Sequence, residues 1–248
     1  DNCTACGKCA EVCETEIPNQ ANYGMDKVKA AYLPHAMAFP FKYVIDPSII
    51  GTDEAKKCAD ACQYNAIDLT MQPAKFTYNV GAVVWATGWE PYDASKIDYL
   101  GFGKIPNVIN SVMFERLAAS NGPTGGKILR PSDGKEVKSV AFVQCSGSRD
   151  ENHLPYCSGI CCLASLKQAT YIREQVPESK VFIYYIDVRA MGKYEDFYTK
   201  VDQDENVTLI KGKIARISNH PESGGVLVEG ENISQGGMVK EVVDLAVL

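Results

Sequence analysis

No stretch of this 248-residue chain approaches the ~18 consecutive apolar residues of a membrane-spanning helix. An excess of positive charge is also lacking. The chain has 25 Lys and Arg against 31 Asp and Glu, a formal net charge of −6. That balance argues against nucleic acid as the main partner, because phosphate binding needs a basic surface. Histidine is scarce: His35, His153 and His220 are isolated and read as loop residues, with only His153 lying near other reactive side chains. No G-x-G-x-x-G is present. The one Walker-like stretch, GPTGGK at 122–127, is one residue short and has Ile128 where magnesium would need Ser or Thr. No signal peptide is visible either.

Cysteine, in contrast, is abundant and clustered. All ten cysteines fall into two sets, with none scattered through a core. Cys3, Cys6, Cys9 and Cys13 open the chain and are joined by Cys58 and Cys62; Cys145, Cys157, Cys161 and Cys162 crowd together further on. Disulfide scaffolds are usually small and poor in core. This chain has apolar runs such as VAFVQ and KVFIYYIDV, enough for a buried core, so metal–sulfur chemistry in a reducing, cytosolic compartment is expected.

Two segments of different character follow from the pattern. Residues 1–75 begin and end with cysteine motifs and are punctuated by Pro34, Pro40 and Pro47, which exclude a long helix there. So short a unit needs a staple to fold. Residues 76–248 read as an α/β domain. Strands are expected at Phe76–Val80, Gly81–Ala86, Val137–Gln144, Val181–Val188, Val207–Ile210, Lys213–Ile217, Gly225–Glu229 and Val242–Leu248. Helices are expected at Ser111–Ala119, with Ser111 as N-cap, at Cys161–Gln175 and at Tyr194–Asp202. The terminal strand ends with the chain, which suggests a fragment incomplete at both ends.

The opening cysteines match C-x2-C-x2-C-x3-C, a bacterial ferredoxin run in which the fourth cysteine of two-cluster proteins serves the other cluster. Glu14 stands where that run usually has proline. Cys58-x3-Cys62 resembles the second half of a ferredoxin repeat, but Thr52 and Ala55 occupy the positions of its two leading cysteines. One cluster can be assembled crosswise from Cys3, Cys6, Cys9 and Cys62, or locally from Cys3, Cys6, Cys9 and Cys13. A structural zinc site is the plainer alternative.

The second set, C-x11-C-x3-C-C, begins where a dinucleotide-binding fold would place its glycine-rich turn, of which only Gly147 remains. Cys161 and Cys162 start a helix, whose N-terminus favours thiolates. A [4Fe–4S] site, a redox dithiol beside a flavin, and inert buried thiols all fit; Arg149 is either a solvated loop charge or a counter-charge to a cluster. A weaker signal is Ala86-Thr87-Gly88 at a strand end, where a glycine lets a flavin approach the backbone closely. Trp85 and Trp89 beside it read as packing residues.

The segments WATGWEPYDASKIDYLGFGKIPNVINSVMFERL, NGPTGGKILRPSDGKEVKSVAFVQCSGSRDE and PYCSGICCLASLKQATYIRE resemble the A subunit of heterodisulfide reductase. The resemblance implies a thioredoxin-reductase-like FAD/NAD(P)-binding fold, in fragment form, carrying a ferredoxin-like inserted α+β domain over residues 1–75. It implies FAD near Ala86, Thr87, Gly88 and Gly147, and a [4Fe–4S] cluster on Cys145, Cys157, Cys161 and Cys162. Within the family, KAAYLPHAMAFPFKYVIDPSIIG and ENHLPYCSGICC are most similar to A subunits of quinone-interacting membrane-bound oxidoreductases. These imply an electron-transfer oxidoreductase of sulfate reduction. Its partners would be adenylylsulfate reductase and a membrane quinone-reactive subunit, and its location peripheral to the cytoplasmic side of the membrane. A pyridine-nucleotide disulfide oxidoreductase and an electron-bifurcating heterodisulfide reductase subunit are the alternatives.

Overall fold

The computed structural model describes residues 2–248. The chain divides into two compact units, residues 1–89 and 90–248. No helix among the described residues is long and apolar enough to cross a membrane.

The first unit is built from short pieces. Helix α1 (Lys8–Val12) is followed by strands β1 (Glu16–Pro18) and β2 (Lys27–Lys29), which pair antiparallel with Ile17 opposite Val28. Strands β3 (Ala31–Tyr32) and β4 (Val44–Ile45) form a second antiparallel pair. Helix α2 (Asp53–Asp60) comes next, absent from the sequence expectation. Its start is nevertheless written locally: the Thr52 hydroxyl caps the N–H of Ala55, and Asp53 and Glu54 sit in the first turn, where the helix dipole favours negative charge. The fully packed centre of the unit consists of Ala30, Ala31, Ala55, Ile49 and the thiols Cys9, Cys13 and Cys58. Alanines and thiols bury little apolar area, so hydrophobic burial alone holds this unit weakly.

Residues 71–89 form no strand or helix and are exposed along their length; Val84 is 88% and Trp85 83% exposed. This overturns the strands expected at Phe76–Val80 and Gly81–Ala86. The apolar pattern is present, but no neighbouring strand among the described residues offers a hydrogen-bonded ladder to complete it.

In the second unit a five-stranded sheet forms the centre. Strands β5 (Val108–Ile109), β6 (Ser139–Val143), β7 (Lys180–Tyr185), β8 (Val207–Lys211) and β12 (Leu245–Val247) run parallel in the order β5-β12-β6-β7-β8. Helix α3 (Ser111–Ala118) follows β5, α4 (Cys161–Gln175) connects β6 to β7, and α5 (Tyr194–Asp202) connects β7 to β8. Alternation of strand and helix is what a parallel sheet requires, since its neighbours need a crossover. The α4 residues Leu166, Ala169 and Ile172 are fully buried at helical spacing, and Phe114 of α3 meets Phe142 of β6 edge to face at 5.4 Å. The N-cap of α3 is Asn110 rather than Ser111: its side-chain oxygen accepts from Met113 N–H at 2.9 Å, one position earlier than expected.

A three-stranded antiparallel meander, β9 (Ile214–His220), β10 (Gly225–Glu231) and β11 (Met238–Val243), completes the unit. The single strand expected at Val242–Leu248 is two, because Asp244 breaks the run between the two sheets. Its carboxylate accepts the N–H groups of Lys138 (2.8 Å) and Ser139 (3.0 Å) and pairs with Arg130 at 3.2 Å. Arg130 is only 4% exposed, also binds Asp133, and donates to the Ser223 carbonyl at 3.0 Å. Removing one member of such a buried ion pair leaves an uncompensated charge and costs about 3–5 kcal/mol. Asp244→Ala should lower the urea-unfolding free energy of the chain by about 3 kcal/mol. Arg130→Met, which keeps apolar bulk in the buried site, should lower it by less than Arg130→Ala.

Candidate metal centres

In the first unit, Cys3, Cys6, Cys9 and Cys62 line one cavity, together with Thr4, Gly7, Lys8, Tyr43, Tyr64, Ala66 and Ile67. Its empty volume is about 390 Å3, including its open mouth. Gly7 has φ 82, and its Cβ would stand 3.3 Å from the Tyr43 hydroxyl, so glycine lets the C-x2-C-x2-C loop turn tightly beneath that ring. Cys62 is the sulfur best prepared to carry charge: backbone hydrogen bonds, first from Ala66 at 3.4 Å and then from Tyr64, hold its thiol below the ordinary value. Burial acts in the opposite direction on Cys9.

Cys13 and Cys58 do not line this cavity. They lie buried in the same small core, Cys13 2% and Cys58 0% exposed. Burial, reinforced by Cys13, pushes the Cys58 thiol up to about 11. Cys13 Sγ also donates to Glu54 Oε1 at 3.4 Å. The Glu54 carboxylate accepts in addition from the Thr15 hydroxyl, from Thr15 N–H at 2.7 Å and from Glu14 N–H, thereby tying α2 to the chain after α1.

In the second unit, Cys145 stands two residues beyond the end of β6 with φ 59, a left-handed conformation that turns the chain sharply at the strand tip. Cys161 and Cys162 are the first two residues of the 15-residue α4, and Cys157 lies just upstream. Cys145, Cys161 and Cys162 act on one another electrostatically. Cys161 is consequently held well below the usual thiol range, first by Cys145 and then by Cys162, while those two are driven up. Cys157 Sγ accepts from Gly159 N–H at 3.4 Å. Among the described residues, no three His, Cys, Asp or Glu side chains converge closely enough to hold a single metal ion.

Several neighbours of these sulfurs carry no sequence signal. Gln144 is 7% exposed; its Oε1 accepts from Cys162 Sγ at 3.3 Å, and its Nε2 has no partner. The Asp187 carbonyl accepts from Cys162 Sγ at 3.4 Å, and the Asp187 carboxylate pairs with Arg149. Arg149 therefore stands as a paired charge near Cys145 and Cys157 rather than a free loop residue. His153 Nδ1 lies 2.8 Å from the Tyr92 hydroxyl. Tyr92 covers Gly147, where a Cβ would fall 2.6 Å from the ring at φ 86.

The residues expected near a flavin behave differently. Ala86, Thr87 and Gly88 are exposed and belong to no strand. The cavity at Gly147, shared with Gln144, Cys145, Asp150 and Lys213, has a volume of only about 10 Å3. That is below the ~300 Å3 at which drug-sized ligand pockets begin, and FAD is larger still. Neither segment by itself fits a flavin.

No protein-family model matches the chain. Proteins of known name match it from end to end. It is 41% identical to an iron-sulfur A subunit of CoB–CoM heterodisulfide reductase from Methanopyrus kandleri, over 100% of this chain and 38% of that protein. It is 40% identical to the A subunit of a ferredoxin/F420H2-dependent CoB–CoM heterodisulfide reductase from Methanosarcina acetivorans, over 100% of this chain and 31% of that protein. The A subunit of an H2:CoB–CoM heterodisulfide, ferredoxin reductase from Methanothermobacter thermautotrophicus is 37% identical, with the same full coverage here and 38% there. In the region it spans, the chain belongs to the family of heterodisulfide reductase A subunits, and it spans about a third of the length of these relatives. Among solved structures, a thioredoxin reductase from T. acidophilum aligns with a TM-score of 0.33 and 12% identity, covering 59% of this chain and 36% of that one. A likeness that loose carries no argument.

The Glu54 contacts give the first unit a defined acid response. The Thr15 hydrogen bonds hold the Glu54 carboxyl down to about 2, from an ordinary 4.5. A carboxylate depressed in the folded state stabilises it above the unfolded value, and that contribution is lost as pH falls from 4.5 toward 2. Thr15→Val should raise the Glu54 value toward 4.5, read by carboxyl-carbon NMR titration. The acid-unfolding midpoint of the first unit should rise with it.

Proposed function

We propose that this chain is the part of an electron-transfer oxidoreductase subunit that holds two [4Fe–4S] clusters. One would sit on Cys3, Cys6, Cys9 and Cys62, the other on Cys145, Cys157, Cys161 and Cys162. The observation that carries the reading is the cavity lined by Cys3, Cys6, Cys9 and Cys62 with Cys13 outside it. This favours the crossed ligand set over the local one. The double C-x2-C spacing of Cys3, Cys6 and Cys9 suits a multi-iron cluster better than a zinc ion.

When bound, a [4Fe–4S] cluster supplies one-electron transfer at a potential set by charge, hydrogen bonds to sulfur and exposure. The chain's own residues account for those three controls. Backbone N–H groups of Ala66 and Gly159 point at Cys62 and Cys157. The start of α4 places two thiols at a positive helix end. Arg149, fixed by Asp187, offsets negative sulfur charge at the second site. Gln144 accepts from the Cys162 thiol; once Cys162 is a thiolate it has no proton to give, and the amide's free N–H groups become the side that serves sulfur.

The relatives favour membership of a heterodisulfide reductase complex over the quinone-linked complex of sulfate reduction, which rests on the resemblance of two short segments. Other subunits of such a complex are the partners in this reading. FAD enters only through the family resemblance, and no electron step is assigned to it. A second reading has one observation in its favour: a Cys161 thiol held low, directly beside Cys162 in the chain, is also what a redox dithiol needs.

Single substitutions separate these readings. In the reconstituted, dithionite-reduced chain, Cys62→Ser should abolish one EPR signal and leave the other, while Cys13→Ser leaves both. Cys157→Ser should abolish the second signal. A dithiol at Cys161 and Cys162 would survive Cys157→Ser with its two-electron titration intact, an outcome that contradicts the second cluster.

A further inference from the structure

The first unit contains a thiol pair that the proposed clusters do not use. Cys13 follows α1 as its C-cap and Cys58 lies within α2, and the two helices pack against each other. Both sulfurs are buried in one small core. Ferredoxin spacing would supply two further cysteines at 52 and 55 to build a cluster around this pair. Instead, the Thr52 hydroxyl caps α2 and Ala55 is fully buried in the core. The space of a second cluster has been filled by packing, leaving two neighbouring thiols in the part of the chain whose core is poorest in apolar bulk.

We propose that Cys13 and Cys58 are a redox modification site, forming a reversible disulfide that staples the cluster-free half of this unit. The proposal rests on the reading that Cys62, and not Cys13, completes the first cluster. The oxidant is a disulfide, of a low-molecular-weight thiol or of another protein. The Cys13 thiolate attacks one sulfur of that disulfide, whose S–S bond breaks and releases the first thiol. Cys58 then attacks the Cys13 sulfur of the mixed disulfide and expels the second thiol. Two protein thiols are oxidised, one external disulfide is reduced, and the two thiol protons leave on the two released thiols. Exchange begins at Cys13 because it ends a five-residue helix, the element more easily released from the core.

The consequence is mechanical. Helix α1 carries Cys9, and Cys62 follows the end of α2. A Cys13–Cys58 bond therefore locks α1, which carries the cavity residue Cys9, to α2, which leads into the cavity residue Cys62, and removes conformational freedom from the unfolded chain. Oxidation should both raise thermal stability and slow loss of iron from the first site.

The test uses the iron-loaded chain, equilibrated without oxygen in glutathione buffers of graded oxidised-to-reduced ratio. Samples are acid-quenched, alkylated while unfolded, digested and analysed by mass spectrometry. The expected result is a peptide pair joined through Cys13 and Cys58, with the first cluster's EPR signal retained. The joined form should have a higher Tm and release iron to a chelator several-fold more slowly, effects absent in Cys58→Ala. Alkylation of both cysteines at every ratio, with the EPR signal intact, would overturn the disulfide and leave the cluster assignment standing. Protection of Cys13 that disappears when iron is removed would also overturn it, by making Cys13 a ligand. Absence of any cluster signal from the first unit would instead count against the proposed function, while the joined peptides still decide the disulfide on their own.

Discussion

Negative sulfur must be stabilised wherever thiols are gathered, and this chain meets that constraint with backbone N–H groups at the ends of its elements. Cys62 receives N–H donors from the turn after α2. Cys157 receives one from Gly159, and Cys161 and Cys162 open α4. Side-chain cations are sparing by comparison: Arg149 is the charge whose position is fixed beside the second set, by its pairing with Asp187. Placing sulfur at turns and helix starts uses donors that have no intrahelical partner, so charge is stabilised without breaking the hydrogen bonds of the fold.

The two units solve the problem of support differently. The second has a parallel sheet with a substantial core, on which the β6 tip and the α4 start are rigidly presented. The buried Arg130, shared by Asp133, Asp244 and the Ser223 carbonyl, ties the antiparallel meander to the same sheet. The first unit has a core of alanines and thiols, so its four cavity cysteines depend on hydrogen bonds such as those of Glu54 and on whatever joins their sulfurs. On the proposed assignment, cluster binding would be coupled to folding more tightly in the first unit than in the second.

Much of the second unit was legible because its elements bury one face completely. Helices α4 and α5 were read with their observed bounds, α4 from its apolar spacing and the Pro177 that follows it. Crowding of cysteine also marked both sulfur-rich regions. What was not legible depends on neighbours distant in sequence. The alternation at Phe76–Ala86 reports a capacity to be buried, which is realised only if a strand lies alongside. Asp244 lies within the one strand expected at Val242–Leu248 and is the junction of two sheets. Gln144 and Asp187 carry no motif; they matter because the strand tips bring them against Cys162. Helix α2, by contrast, was signalled by Thr52 and the acidic residues after it, and the nearby prolines obscured it.

The account stands on both cysteine sets holding cubanes, and iron with acid-labile sulfide is the most direct count. Anaerobically reconstituted and desalted protein should contain about eight irons and about eight sulfides per chain, as two [4Fe–4S] clusters require. Zinc without sulfide, or only about four irons and four sulfides in the chain with all ten cysteines present, would contradict it.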